Sequence, residues 1–97
     1  MALFHTQVTL SGAEEQLTAT HIPVTWVRLE NETGNDPVYV GGKGDTLTSS
    51  VYGMSIPAGP TNAREIGPYE GTCPINLGDI NLLGTANDIL HVLYMTV

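Results

Sequence analysis

The chain has 97 residues, of which 41% are hydrophobic and 13% charged, and its formal net charge is −7 at pH 7. This length suits one domain, residues 1–97, rather than two. The only basic residues are Arg28, Lys43 and Arg64, too few to bind phosphate backbones or anionic lipid, so neither nucleic acid nor a membrane is expected as a partner.

The start of the chain and its cysteine content indicate where the protein is made. Residues 1–5 lack the basic and apolar regions of a secretory signal. Cys73 is the single cysteine, so no internal disulfide can form. No apolar run approaches the roughly 20 residues that span a bilayer. We therefore expect synthesis in a reducing cytoplasm.

Two short strands are predicted at the start of the chain. Residues 3–10 alternate in polarity, which is typical of an extended strand with one covered face. After a turn, residues 16–21 alternate again, and Leu17 and Ala19 are expected to face inward.

The third predicted strand, residues 24–30, has the densest β-forming composition in the first half of the chain. Thr25, Val27 and Leu29 share one face of it, which we assign to the core. Trp26 falls on the opposite face.

Turn-forming residues follow. The segment 31–37 predicts a hairpin loop before a short strand in which Val38 and Val40 face the core. The glycine-rich segment 41–45 predicts a tight turn with residues at positive φ, and a second turn is expected at 57–60. The structural turn residues are Gly41, Gly42, Gly44 and Gly59.

The second half of the chain predicts further strands. Residues 54–56 form a short apolar strand, and residues 63–66 form a weaker one. The segment 74–83 is apolar at alternating positions and predicts a strand with a break at Gly78.

The last strand, residues 89–97, has the strongest β pattern and is apolar on both faces. Such a strand lies in the centre of a sheet or is sealed by a neighbouring subunit. One side carries Leu90, Val92 and Tyr94, and the other carries Ile89, Leu93, Met95 and Val97.

These elements together define the fold class. No window of 11 or more residues shows a helical period. The prediction is an all-β protein: a single small β-sandwich or barrel of about seven or eight short, mainly antiparallel strands.

The residue types that carry chemistry do not form a recognisable site in the sequence. His5, His21 and His91 lack partners at metal-ligand spacing, and Cys73 has no neighbouring cation to activate it. The glycines around Lys43 fail the phosphate-loop pattern because glycine, not serine or threonine, follows the lysine. We therefore expect no catalytic, cofactor-binding or metal-binding residues, and no enzyme activity.

Aromatic residues and the last strand supply the candidates for an interface. Trp26 and Tyr39 both alternate away from the core face, so each either packs on a second sheet or anchors a partner. The low content of charged residues also favours burial against other subunits. The interface candidates are Trp26, Tyr39, Tyr52, Tyr69, Ile89, Leu93 and Met95.

Four segments, read in order, resemble small virion proteins of tailed bacteriophages. They are HIPVTWVRL at 21–29, NDPVYVGG at 35–42, GMSIPAG at 53–59 and ILHVLY at 89–94. The resemblance covers about three quarters of the chain, and it lies in the order and spacing of the segments rather than in any one of them.

The resemblance implies a head decoration, or cement, protein on the capsid exterior. Its partner would be the major capsid protein, and a homo-oligomer, with a trimer favoured, would bridge neighbouring capsid subunits. Two alternatives remain open. The chain could be a tail or fibre attachment module of the virion, or a carbohydrate-binding β-sandwich that uses Trp26 and the tyrosines as stacking platforms.

Overall fold

The computed structural model describes residues 2–68 and 74–97, in which nine strands and two single 3-10 turns alternate with loops. The strands are β1 (Leu3–Thr9), β2 (Glu15–Gln16), β3 (Pro23–Asn31), β4 (Val38–Gly41), β5 (Met54–Ile56), β6 (Arg64–Ile66), β7 (Ile75–Asn76), β8 (Asn81–Leu83) and β9 (Ile89–Thr96). The 3-10 turns are Pro60–Asn62 and Leu77–Asp79.

The strands form two antiparallel sheets packed face to face. In the first sheet the order is β1-β9-β3-β6, and β7 pairs with another part of β3. In the second sheet the order is β2-β8-β4-β5. The prediction of a small all-β sandwich is confirmed.

The core lies between the two sheets and consists almost entirely of aliphatic side chains. Each sheet contributes the residues of one face, as the alternation of side chains along a strand requires. The first sheet contributes Val24, Val27, Leu29, Leu90 and Val92, and the second contributes Val38, Val40, Ile56 and Leu82.

Strand β3 departs from simple alternation near its start. A bulge between Val24 and Trp26 shifts the pairing with β9 by one residue. A bulge places two residues opposite one, so the faces change over at this point. Val24 and Val27 are both fully buried, whereas Thr25, which was predicted for the core face, is half-buried.

The last strand is central, which is the first of the two possibilities that its pattern left open. β9 lies between β1 and β3 and pairs along nearly its whole length with both. Leu90 and Val92 enter the core, while Ile89, Leu93 and Met95 lie on the other face and are half-buried.

The predicted break at Gly78 is also present. It is the 3-10 turn Leu77–Asp79, which carries the chain from β7 in the first sheet to β8 in the second. The side chain of Asn76 fixes this turn, because its Oδ1 accepts hydrogen bonds from the backbone N–H groups of Gly78 at 3.0 Å and Ile22 at 3.1 Å.

Two predictions about the first half of the chain were wrong. The second strand is only Glu15–Gln16; Leu17 is buried, but Ala19 is exposed. The segment 31–37 is not a hairpin loop, because β3 and β4 belong to different sheets. In the structure, this segment crosses from one layer of the sandwich to the other.

The glycine turns were predicted in part. Gly44 and Gly59 adopt φ values of 78° and 103°, a region that glycine enters without strain. Gly41 and Gly42 are not among the residues with positive φ. Gly41 instead ends β4, where the absence of a side chain leaves room for a neighbouring loop.

Candidate interaction surfaces

The outer face of the first sheet carries a row of apolar side chains at one end. Cross-strand register places Met95 of β9 opposite both Leu3 of β1 and Trp26 of β3. Leu3 is 58% exposed, and the other two are half-buried. We call Leu3, Met95 and Trp26 the outer row. It brings together two of the residues predicted as interface candidates.

Trp26 lies outside the core that the two sheets enclose. Its indole N–H donates to a carboxylate oxygen of Glu65 on β6, at 3.4 Å between Nε1 and Oε2. This hydrogen bond directs the indole N–H toward β6, while register places Trp26 opposite Met95 on the other neighbouring strand, β9. An aromatic ring held in this way resembles the anchors found at protein interfaces.

Polarity increases along the same face away from the outer row. Leu93 pairs with His5 on one side and Arg28 on the other. Arg28 donates to Glu30 at 2.9 Å, so the guanidinium is neutralised within its own strand. The face is therefore apolar at one end and polar in the middle.

The far end of this face is separate from the outer row. Ile89 pairs with Thr9, six residues along β9 from Met95. Between them, Nε2 of His91 lies 3.3 Å from Oε1 of Glu32, and Nδ1 of His91 lies 3.5 Å from Nε2 of Gln7. The predicted candidates Ile89 and Met95 thus share a face but not a single patch.

A pair of tyrosines marks the outer face of the second sheet. The rings of Tyr39 on β4 and Tyr52 have centroids 4.9 Å apart and are tilted by 39°. Tyr39 is half-buried and Tyr52 is 45% exposed, next to Val51 at 61%. The structure thus joins these two predicted candidates into one patch. This patch lies on the second sheet, whereas Trp26 lies on the first.

The loop 43–52 reaches this outer face because Gly41 has no side chain. A Cβ at Gly41 would lie 2.5 Å from Cδ2 of Leu47, which is itself buried. The loop is held at two further points. Asp45 Oδ2 accepts from the N–H of Gly42 at 2.7 Å, and Glu14 Oε1 accepts from the N–H of Leu47 at 2.6 Å.

A second aromatic pair was not predicted from the sequence. Phe4 of β1 stacks on Tyr94 of β9 with centroids 5.7 Å apart, and Phe4 is 48% exposed. Both face the same side as the core; Tyr94 is half-buried and packs against it, whereas Phe4 is not part of the core. Alternation in residues 3–10 indicated the face of Phe4, whereas its contact with Tyr94 depends on the pairing of the first and last strands.

An open cleft of about 410 Å³ lies between the sheets. Its walls are mainly aliphatic: Val40 and Met54 from the second sheet, Ile66 and Ile75 from the first, and Ile80. The cleft is a hydrophobic recess with few of the convergent polar groups that orient a small ligand.

Two of the residues considered in the sequence, Tyr69 and Cys73, lie outside the described part of the chain. Within residues 2–68 and 74–97 no cluster of three or more histidine, cysteine or acidic side chains is placed to hold a metal ion. Over the same ranges, no helix has the length and hydrophobicity needed to cross a bilayer.

Comparisons of the chain with models of protein families, with curated proteins and with solved structures gave no match.

Proposed function

We propose that the chain is a structural subunit of a tailed-bacteriophage virion, a head decoration protein that docks on the capsid exterior and bridges neighbouring copies of the major capsid protein. The observation that supports docking is the outer row. Leu3, Met95 and Trp26 form an apolar strip across three strands, on the sheet face that the core does not use. The resemblance of the four sequence segments supports the choice of a phage head.

The proposed mechanism is mechanical. A subunit that contacts two capsid proteins adds buried area across the seam between them, so the seam resists the outward pressure of packaged DNA. Each contact can be weak, because many identical contacts on one lattice combine by avidity. The low content of charged residues, 13% of the chain, reduces the desolvation needed to form such contacts.

The first test is the amount of the chain in purified phage particles. A decoration protein should be present in a number of copies comparable with that of the major capsid protein, measured by quantitative mass spectrometry. A copy number matching the few subunits of a tail or fibre would support the attachment module instead. Absence from the particles would contradict both assignments.

The second test addresses the outer row directly. Trp26→Ala should weaken binding to heads stripped of decoration protein by about 30-fold or more, as expected when an aromatic anchor worth about 2 kcal/mol is removed. Met95→Glu should weaken it further by placing a charge in the strip that contact with the capsid would bury. The control is Thr61→Glu, which adds the same charge at an exposed position in the 3-10 turn Pro60–Asn62.

Circular dichroism should show that all three variants remain folded. Equal binding by folded Trp26→Ala and Thr61→Glu proteins would contradict a role for the outer row.

The stacked tyrosines support one alternative of a different class. Tyr39 and Tyr52 form an aromatic patch with Tyr52 45% exposed, and sugar rings stack on such surfaces. In this alternative the chain is a carbohydrate-binding module. A glycan array should then give hits that Tyr52→Ala removes; an array without hits would eliminate it.

A further inference from the structure

We propose that this chain forms a two-fold dimer in which strand β1 pairs with β1 of a second copy, antiparallel and centred on Thr6, so that the first sheets of the two copies become one continuous sheet. The dimer is a property of the isolated chain and does not depend on the capsid assignment. It differs from the trimer that the sequence resemblance implies.

The first observation is the free edge of β1. The strand spans seven residues, Leu3–Thr9, and within the described residues it pairs only with β9. A long edge strand presents a row of unpaired N–H and C=O groups that can bind another strand.

Two hydrogen bonds identify which groups are free. The N–H of Thr96 donates to the carbonyl of Ala2, and the N–H of Leu10 donates to the carbonyl of Asp88, both at 2.8 Å. Along an antiparallel strand, residues that bond to one neighbouring strand alternate with residues whose N–H and C=O groups point to the opposite side. Even-numbered residues of β1 therefore bond to β9. The residues that direct N–H and C=O groups to the free edge are Leu3, His5, Gln7 and Thr9.

The edge of β1 lacks the features that usually protect an edge strand. Its sequence, LFHTQVT, contains no proline, lysine, arginine, aspartate or glutamate. The other strands at sheet edges in the described part of the chain, β2, β5, β6 and β7, have only two or three residues each. β1 is thus the edge best suited to strand addition.

A second copy fits this edge because β1 is complementary to itself. Antiparallel pairing centred on Thr6 uses all seven residues of β1. Every residue whose N–H and C=O groups point to the free edge then lies opposite another such residue of the second copy. Leu3 then faces Thr9 of the second copy, and His5 faces Gln7, an amide that can bond to its imidazole. On the other side of the sheet, Phe4 faces Val8, an aromatic and β-branched pair of the kind that stabilises adjacent strands.

The second sheet leaves room for this approach. Phe4 and Thr6 point to the side on which the second sheet lies, yet both are exposed, whereas Val8 is half-buried and packs against the core, so the second sheet covers only the Val8 end of β1. The edge is therefore uncovered on this side at Thr6, where the proposed two-fold axis passes.

Charge also favours β1 as the place of contact. Each copy carries a net charge of −7, so two copies repel each other. None of the ten acidic residues lies in β1, so the two paired strands themselves add no repulsion between carboxylates.

The central test is disulfide cross-linking, in a Cys73→Ser background. Thr6 would lie on the two-fold axis as a non-hydrogen-bonded pair, with Cα atoms about 4.5 Å apart, within the range for a disulfide. Thr6→Cys should therefore give a covalent dimer under mild oxidation. The matched control is Gln7→Cys, whose two copies are displaced along the strands in the proposed register and should cross-link at least about tenfold more slowly.

Proline provides an independent test. His5→Pro removes an N–H that points to the free edge, so the fold should survive while the dimer is lost. Sedimentation should then give a mass near the 10.3 kDa of one chain, against about twice that for the unmodified protein. Thr6→Pro is the control: it removes a hydrogen bond to β9 and should lower the melting temperature instead.

Several outcomes would overturn the proposal. One is a monomeric unmodified chain up to its solubility limit. Others are a trimer that a folded His5→Pro variant leaves intact, and faster cross-linking at Gln7 than at Thr6. A dimer that fails to bind stripped heads would contradict the proposed function and leave the dimer supported.

Discussion

At the scale of single residues, Asn31 is the most deeply buried polar side chain in the described part of the chain, and it links the two sheets. It is fully buried at the end of β3. Its amide donates to the carbonyl oxygens of Asp36 at 2.8 Å and Ile56 at 3.0 Å, and its Oδ1 accepts from Asn35 at 3.0 Å. Since Ile56 belongs to the second sheet, Asn31 hydrogen-bonds one layer of the fold to the other.

We predict that Asn31→Ala lowers the free energy of unfolding by about 3 kcal/mol. The substitution leaves buried carbonyl groups unpaired, each at a cost of about 1–3 kcal/mol. Asn31→Asp should be more harmful, because it puts an acceptor where the carbonyl oxygens of Asp36 and Ile56 need a donor. Urea denaturation measures both effects, with exposed Thr33→Ala as the control. A loss below 1 kcal/mol for Asn31→Ala would contradict this role.

The sequence could not reveal the role of Asn31. Its neighbours are turn-forming residues, and in isolation an asparagine in such a run indicates a turn. Its amide bonds to Ile56, 25 residues away, and its partner Asn35 in turn donates to the carbonyl of Ile89 at 3.0 Å. Local pattern does not report contacts between segments so far apart.

At the scale of elements, the loop 43–52 depends on the end of strand β4. Leu47 occupies the space that a side chain at Gly41 would fill, with the nearest contact at 2.5 Å. At the adjacent Gly42, the nearest atom to an added Cβ is Asp45 Oδ2, at an ordinary 3.6 Å. The two neighbouring glycines thus differ in how much they constrain the loop.

We predict that Gly41→Ala displaces Leu47 and lowers stability by about 1–3 kcal/mol, as overpacking commonly does. Gly42→Ala should be close to neutral. Denaturant unfolding measures the difference between the two variants. Adding Leu47→Ala to Gly41→Ala should reduce the clash between the side chains at positions 41 and 47, and a double-mutant cycle isolates this interaction energy. Equal effects of the two glycine substitutions would contradict the proposed packing of the loop.

Prediction of the elements succeeded where the signal was local. β3 and β9 have dense β-forming composition, and the break at Gly78 follows from an interruption of the alternation. It failed where pairing decides the outcome. The bulge that moves Thr25 off the core face arises from the register with β9, and the crossing of residues 31–37 arises from sheet membership.

For the candidate surfaces, too, local sequence pattern predicted one part and strand pairing decided the rest. The sequence indicated that Trp26 and Tyr39 face away from the core, and it placed Met95 among the interface candidates. That Trp26 lies beside Met95, and Tyr39 beside Tyr52, depends on the strand order and on the path of loop 43–52.

At the scale of the whole molecule, net charge governs self-association. The chain carries −7 within a body whose longest dimension is 34 Å. At low salt the Debye length is about 30 Å, comparable with the distance between two such bodies in contact, whereas at physiological ionic strength it is about 8 Å. Repulsion between copies is therefore strong in the first condition and largely screened in the second.

We predict that raising the ionic strength from about 0.01 M to about 0.15 M at pH 7 tightens the β1-mediated dimer by at least about tenfold. Sedimentation equilibrium at each ionic strength gives the dissociation constant. The His5→Pro variant serves as the reference and should remain monomeric in both conditions. Weaker association at the higher ionic strength would mean that attraction between charges holds the copies together, in contradiction to an uncharged seam.

The position of the two ends of the described fold has a consequence for how the chain could be rearranged. Ala2 and Thr96 exchange hydrogen bonds at 2.8 and 3.1 Å, although 94 positions separate them. A short linker between these ends would therefore impose little strain. New ends could then be opened at an exposed turn such as the one at Ser49 and Ser50, giving a circularly permuted chain with the same sheets. The architecture is thus fixed by which strands are neighbours in space, and the order in which they are translated is one of several that would serve.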